Sequence, residues 1–109
     1  MEPGQPHQVD WNKCKDCHDF PCTSICPNRA LKQCVREYTS EELLQILRRD
    51  FSSWGSNGGV TFSGGDPITQ HDFLIEVLKG CHKLGIHTAI ETSAHFPREK
   101  FLDVMQYTD

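Results

Sequence analysis

Four cysteines lie close together near the start of the chain, at a spacing that suits metal binding. Cys14, Cys17, Cys22 and Cys26 follow the pattern Cys-x2-Cys-x4-Cys-x3-Cys. Cysteine thiolates are soft ligands, and four of them in one short loop can surround an iron–sulfur cluster. The sequence therefore predicts a metal cluster held by these four side chains.

The spacing differs in one gap from the bacterial ferredoxin motif, Cys-x2-Cys-x2-Cys-x3-Cys-Pro. Two extra residues, Phe20 and Pro21, lie in the middle gap, while the closing Cys26-Pro27 pair matches. In two-cluster ferredoxins the fourth cysteine of each motif binds the other cluster, so either Cys26 or Cys34 could complete the set here. Pro27 fixes the local chain direction, which favours Cys26.

Three other interpretations of the cysteines compete with the cluster. A structural zinc site usually takes two separated pairs of ligands, and His18 fits no familiar zinc spacing. Disulfides belong mainly to exported proteins, whereas residues 1–6 lack the basic and apolar segments of a signal peptide, which predicts a cytoplasmic protein. Four unrelated cysteines are disfavoured because only Cys34 and Cys81 are scattered.

Length and charge limit the class of protein. The chain has 109 residues and a net charge of −4, which fits one small globular domain. No apolar run approaches the roughly 20 residues that a membrane helix needs. A negative chain is poorly suited to neutralising phosphates, so we expect neither a membrane nor a nucleic acid as partner.

The chain divides into two parts with different patterns. Residues 1–37 hold all but one of the cysteines and show no sustained apolar period, which predicts a loop-rich, ferredoxin-like cluster module. In residues 38–109, Thr39 and Glu42 predict a capping box at the start of a helix that ends before Gly55. Apolar residues recur in this segment at spacings of three and four: Leu43, Leu44, Leu47, Phe51 and Trp54.

The remaining pattern predicts strand, helix, strand and helix. Residues 60–63 suit a strand buried on both faces, Thr69 can cap the next helix, and Gly85 can end it. Residues 88–92 suit a parallel strand, and Pro97 can open a last helix. The inward residues of the two helices are predicted to be Leu74, Val77, Leu78, Cys81, Leu84, Phe101, Val104 and Met105.

Two parallel strands are too few for an independent sheet, because parallel sheets are normally covered on both faces and contain several strands. The sequence therefore predicts an α/β fold that is a fragment of a partial (β/α) barrel, or of a larger open sheet, either cut from a longer protein or completed by a partner.

A glycine loop, Gly64-Gly65-Asp66-Pro67, comes directly after the first predicted strand. Ligands of α/β proteins are usually held at this end of the strands, and glycines let the backbone approach a ligand closely. A plain tight turn is the alternative. The Gly59-x4-Gly64 spacing is similar to that of a P-loop. Gly65-Asp66 stands where a P-loop requires lysine and a hydroxyl residue, so binding of a nucleoside triphosphate is disfavoured.

Two segments resemble a known family. Residues 54–67 resemble the Gly-Gly-Val-Thr-x-Ser-Gly-Gly-Glu-Pro segment of the radical S-adenosylmethionine activases of glycyl radical enzymes. Residues 86–93 resemble the family's His-Thr-x-Leu-Asp-Thr strand end. Several of these activases also carry a ferredoxin-like insert whose cysteine spacing includes the one found here.

The resemblance implies an oxidoreductase that uses a [4Fe–4S] cluster and S-adenosylmethionine. It implies that Ser63, Gly64, Gly65 and Asp66 hold the amino end of the methionyl group, with Asp66 in place of the family's glutamate. Glu91 and Thr92 match a pair that helps to bind a cation near the cofactor carboxylate in some members; an ion pair or a helix cap is the alternative for Glu91. The implied partners are a glycyl radical enzyme and an electron donor of the flavodoxin or ferredoxin type.

The catalytic Cys-x3-Cys-x2-Cys motif of that family does not occur in these 109 residues. Cys22 and Cys26 have the first spacing, but Arg29 stands where the third cysteine is required. We therefore expect the cluster at residues 14–26 to be an auxiliary one, and the fragment alone to be inactive. A stand-alone ferredoxin-type electron carrier and a zinc-stabilised interaction module are the alternative functions.

Overall fold

The computed structural model describes residues 10–109, which form two compact units divided between Arg36 and Glu37. In the first unit, residues 10–36 contain two single helical turns, α1 (Trp11–Cys14) and α2 (Cys22–Ile25), joined by loop. The prediction that residues 1–6 carry no signal peptide lies outside the described residues. The cluster-module and barrel assignments of the two parts stay predictions.

The second unit begins with helix α3 (Ser40–Phe51), and its start confirms the predicted capping box. The Thr39 N–H donates to Glu42 Oε2 at 2.8 Å, and the Glu42 N–H donates to Thr39 Oγ1 at 3.2 Å. These bonds satisfy two amides that a helix start otherwise leaves without partners. Gly55, with a positive φ of 70°, follows the helix in the turn that leads to the sheet.

The sheet consists of β1 (Gly59–Phe62) and β2 (His87–Ile90), which pair in parallel with Gly59 opposite His87 and Phe62 opposite Ile90. In the described residues each strand has one strand neighbour, so the other edge of β1 has no strand beside it. A Cβ on Gly59 would lie 2.5 Å from the His87 carbonyl oxygen, so this register requires glycine.

One predicted property of β1 is wrong. Instead of being buried on both faces, the strand alternates between exposed and half-buried residues, with Thr61 exposed and Phe62 half-buried. Val60 and Phe62 pack against the apolar clusters of the unit, while the side that carries Thr61 faces away from them. Within the described residues the helices therefore cover one face of the sheet.

Helix α4 (His71–Leu84) connects the strands, and its start differs from the prediction. A short 3-10 helix, Pro67–Gln70, precedes it, and the Asp66 side chain rather than Thr69 caps that turn. The Thr69 hydroxyl instead donates to the Asp66 carbonyl oxygen at 2.7 Å. The predicted end is confirmed, because Gly85 adopts the left-handed conformation with φ 69°.

Helix α5 (Arg98–Met105) follows Pro97 and closes the core. The prediction that Leu84 and Met105 lie in the core is wrong, since 36% and 49% of their surfaces are exposed. Phe101 is half-buried. The buried apolar residues lie in two clusters: Leu47, Val77, Cys81 and Ile86 in one, and Ile68, Leu74, Leu78 and Val104 in the other.

The chain after α5 runs back along the outer edge of β2. The Asp109 N–H donates to the Thr88 carbonyl oxygen at 3.2 Å, and the Thr88 N–H donates to Asp109 Oδ2 at 2.9 Å. Thr88 is 1% exposed, and its hydroxyl also donates to the Tyr107 carbonyl oxygen at 3.2 Å. The hydrogen bond from the Thr88 N–H makes the largest contribution to lowering the pKa of Asp109 below its ordinary value. Across residues 10–109, no helix has the length and apolar character to span a membrane.

Candidate functional site

The glycine loop lies where β1 ends, at the carboxyl end of the parallel strands. Gly64 and Gly65 have φ angles of 87° and 61°, a region that favours glycine, and both are exposed together with Ser63. A Cβ at either glycine would have no heavy atom within 4 Å. The backbone conformation therefore favours glycine at both positions, and the space above the loop is open to a ligand.

Asp66 joins this loop to the end of β2. Its carboxylate accepts hydrogen bonds from the Thr92 hydroxyl at 2.9 and 3.0 Å and from the Ser93 N–H and hydroxyl at 2.8 and 2.9 Å. The Ile68 N–H donates to the same carboxylate at 3.2 Å. These bonds hold Asp66 beside Thr92 and Ser93, which lie 26 and 27 positions later in the sequence.

The pKa of Asp66 reflects two opposed effects. Partial desolvation raises it, while the hydrogen bonds from Ser93, Thr92 and Ile68 together lower it below the ordinary value of 3.8. Hydrogen bonds to the charged form stabilise that form. Asp66 is therefore an ionised carboxylate at neutral pH, fixed by neutral donors.

Glu91 occupies a different position from Thr92. Its N–H donates to the Phe62 carbonyl oxygen at 2.9 Å, which extends the β1–β2 pairing by one step. Its side chain is exposed and makes no hydrogen bond to the residues that the structure describes. At the carboxyl end of the two strands the structure therefore brings together Ser63, Gly64, Gly65, Asp66 and Thr92. The exposed Glu91 carboxylate directly precedes Thr92 in the chain.

Ser93 was missed by sequence reasoning, although it supplies two of the bonds to Asp66. The hydroxyl residues Thr92 and Ser93 directly follow a strand that was predicted to pair in parallel with β1. Because parallel strands end at the same edge, a carboxylate just after one strand and hydroxyls just after the other could have indicated this contact.

The four predicted cluster ligands lie on and beside α1 and α2. Cys14 ends α1, and the Cys17 N–H donates to its carbonyl oxygen at 3.1 Å. Cys22 begins α2 and is exposed, while Cys26 follows its end and is half-buried. All four thiols are free, as are Cys34 and Cys81.

The backbone around Cys26 favours its thiolate form. Backbone hydrogen bonds, first from Ala30 and then from Leu31, lower its pKa below the ordinary value of 9.0. The thiolate is the metal-binding form, so this donor set suits an iron–sulfur cluster chemically. In residues 10–109, however, no three His, Cys, Asp or Glu side chains are gathered in an arrangement that could hold a metal ion. Assembly of the four cysteines around one centre stays a prediction.

Comparison with known proteins identifies the family. The chain is 56% identical over 102 residues to the 4-hydroxyphenylacetate decarboxylase activating enzyme of Clostridium scatologenes, covering 94% of this chain and 33% of the relative. It is 46% identical over 76 residues to the pyruvate formate-lyase-activating enzyme of Clostridium pasteurianum, covering 68% of this chain and 31% of the relative. The chain belongs to the activating enzymes of glycyl radical enzymes.

Other activating enzymes match over a similar share of their length. The indoleacetate decarboxylase activating enzyme of Tractidigestivibacter scatoligenes is 35% identical over 100 residues, covering 92% of this chain and 32% of the relative. The chain thus spans about a third of the length of the curated relatives it matches. No family model and no solved structure matches it. The predicted family and the predicted partial match to it are confirmed.

Proposed function

We propose that this chain is the auxiliary-cluster and cofactor-loop section of a radical S-adenosylmethionine activase that generates a glycyl radical on a partner enzyme. The observation that carries the proposal is the open Gly64-Gly65 loop, held beside Thr92 by Asp66, in a chain that matches activating enzymes over nearly its whole length. The exposed backbone of residues 63–65 would contact the methionyl end of S-adenosylmethionine.

The cysteines of the first unit would hold a [4Fe–4S] cluster, with Cys14, Cys17, Cys22 and Cys26 as ligands. Such a cluster supplies one-electron transfer when it is bound. The four cysteines would bind it, and the backbone donors around Cys26 would stabilise its thiolate. The Cys-x3-Cys-x2-Cys motif that would bind the catalytic cluster is not among these 109 residues, so cofactor cleavage is not assigned to them.

The fold and the partners are also part of the proposal. The parallel β1–α4–β2 unit, covered by helices on one face, is what a section of a partial (β/α) barrel would provide. The partner would be a glycyl radical enzyme, and two of the relatives named above favour an arylacetate decarboxylase. The electron donor would be of the flavodoxin or ferredoxin type.

Anaerobic reconstitution of the full protein tests the cluster. We expect bound iron and sulfide with the broad visible absorbance of an iron–sulfur cluster, and each of Cys14→Ser, Cys17→Ser and Cys22→Ser should lower the iron content. The pair Cys26→Ser and Cys34→Ser tests the fourth ligand, since Cys34 is free and exposed outside residues 14–26, and we expect only Cys26→Ser to lower the iron content. Zinc without iron would refute the cluster, and a Cys34→Ser loss equal to that of Cys26→Ser would refute the choice of fourth ligand.

S-adenosylmethionine binding separates the proposal from a simple electron carrier. Titration of the reconstituted full protein with the cofactor should give saturable binding that Gly64→Ala weakens. A ferredoxin-type carrier would be reduced reversibly and would show no such binding. The carrier is the second candidate because residues 14–27 alone are close to the ferredoxin spacing.

A further inference from the structure

The Asp66 carboxylate has no free hydrogen-bonding position in the structure. An ionised carboxylate offers about four lone-pair sites. Four donors occupy them: the Ile68 N–H, the Thr92 hydroxyl, the Ser93 N–H and the Ser93 hydroxyl, all at 2.8 to 3.2 Å. A ligand ammonium group could bind this carboxylate only by displacing bonds that hold the two strand ends together.

We propose that Asp66 is a positioning residue, which latches the Gly64-Gly65 loop to the end of β2, and that it does not contact the ligand. This inference rests on the proposed function, because it concerns how that site holds S-adenosylmethionine. It changes the role that the family resemblance implied for Asp66, and it leaves contact with the methionyl end to the exposed backbone of residues 63–65.

The latch continues the strand pairing by side-chain contacts. The last backbone bond between the strands runs from the Glu91 N–H to the Phe62 carbonyl oxygen. Beyond it the chains are joined through Asp66, Thr92 and Ser93, which fixes where the glycine loop stands relative to Glu91. A loop held in one conformation binds a ligand more tightly, because less of its freedom is lost on binding.

The donor side of the latch is itself held in place. The Ala94 N–H donates to Thr92 Oγ1 at 3.1 Å, and the His95 N–H donates to Ser93 Oγ at 3.4 Å. Ala94 has a positive φ of 56°, a conformation that costs a non-glycine residue energy and persists where its surroundings impose it. The turn after β2 is therefore shaped to present both hydroxyls to Asp66.

Two substitutions break the latch in different ways. Asp66→Asn removes the charge and places an NH2 group against donors of Thr92 or Ser93. Ser93→Ala removes one donor and leaves the Asp66 charge intact, so it separates a latch from a ligand contact. Ser53→Ala is the matched control, because the Ser53 hydroxyl donates at 2.6 Å to the Asp50 carbonyl oxygen, outside the glycine loop and the latch.

The experiment uses the full reconstituted protein and two measurements. Amide hydrogen exchange at residues 63–66 and 93 is measured without ligand, and S-adenosylmethionine affinity is measured by titration. We expect Asp66→Asn and Ser93→Ala to accelerate exchange and to weaken binding by about fivefold or more, since loss of a bond to a charged group releases the loop. Ser53→Ala should change neither.

Each other outcome is informative. If Asp66→Asn weakens binding with unchanged exchange, and Ser93→Ala has no effect, Asp66 contacts the ligand and the inference is overturned. If the unsubstituted protein does not bind S-adenosylmethionine while both variants accelerate exchange, the latch is supported and the proposed function fails. If Asp66→Asn does not fold, Ser93→Ala still decides between these outcomes. Asp66→Glu keeps the negative charge, so it should retain part of the protection from hydrogen exchange that Asp66→Asn loses.

Discussion

Alanine substitution at two glycines that share a conformation separates backbone strain from ligand binding. Gly64 and Gly55 both have positive φ, at 87° and 70°, and at neither would a Cβ meet an atom within 4 Å. They lie at opposite ends of β1, with Gly64 in the site and Gly55 in the turn after α3. Gly64→Ala and Gly55→Ala should therefore cost similar folding energy and differ in cofactor binding.

The structure sets the size of the effect. With no steric contact at the added methyl group, only the left-handed backbone conformation is penalised, by about 1–2 kcal/mol for a residue other than glycine. At Gly64 that energy favours loop conformations that do not bind. A shift of 1–2 kcal/mol lowers the binding-competent fraction, and hence the apparent affinity, by a factor of about 5–30.

Urea unfolding and S-adenosylmethionine titration of the full protein test this. Both variants should lose about 1–2 kcal/mol in the free energy of unfolding, and only Gly64→Ala should lose affinity. Equal losses of affinity in the two variants would mean that general destabilisation controls binding. Unchanged affinity in Gly64→Ala would remove the glycine loop from the site.

Three further predictions concern stability. Thr39→Ala should lower the free energy of unfolding by about 1 kcal/mol in urea unfolding, because it removes the cap of α3; no change would mean that the capping bonds do not form in solution. Leu78→Ala should cost about 2–5 kcal/mol, since Leu78 is fully buried, whereas Leu84→Ala on the exposed side of α4 should cost clearly less; equal losses would contradict the described packing. Folding lowers the pKa of Asp66, so the hydrogen bonds to its carboxylate stabilise the protein above the unfolded pKa near 3.8 and are lost as pH falls through the folded pKa. Hydrogen exchange at the Ser93 amide should therefore accelerate in that acidic range in the unsubstituted protein. Asp66→Asn should show no such acceleration.

Local chemistry made parts of the fold predictable. The capping box at Thr39 and the glycine end of α4 depend on residues within one helical turn, and both are confirmed. Cys81 shares an apolar stripe with Leu78, and both are fully buried as predicted. At these positions the interactions that decide the structure lie close together in sequence.

Contacts between distant residues were not predictable in the same way. Thr69 is well placed in sequence to cap α4, but Asp66 caps the preceding turn while also binding Thr92 and Ser93. The prediction that β1 is buried on both faces was wrong, because the residue types of a strand do not tell how many layers cover its sheet. The resemblance selected Asp66 as a site residue, and its bonding to Ser93 required the structure.

The outer edge of β1 affects how the protein can be handled. In the described part of the chain its backbone groups face away from β2 with no strand beside them, next to the β-branched residues Val60 and Thr61. Such an edge accepts strands from other molecules, which favours aggregation at high concentration. A preparation that supplies a strand for this edge, in a longer chain or as an added peptide, should therefore remain monodisperse where residues 37–109 alone precipitate.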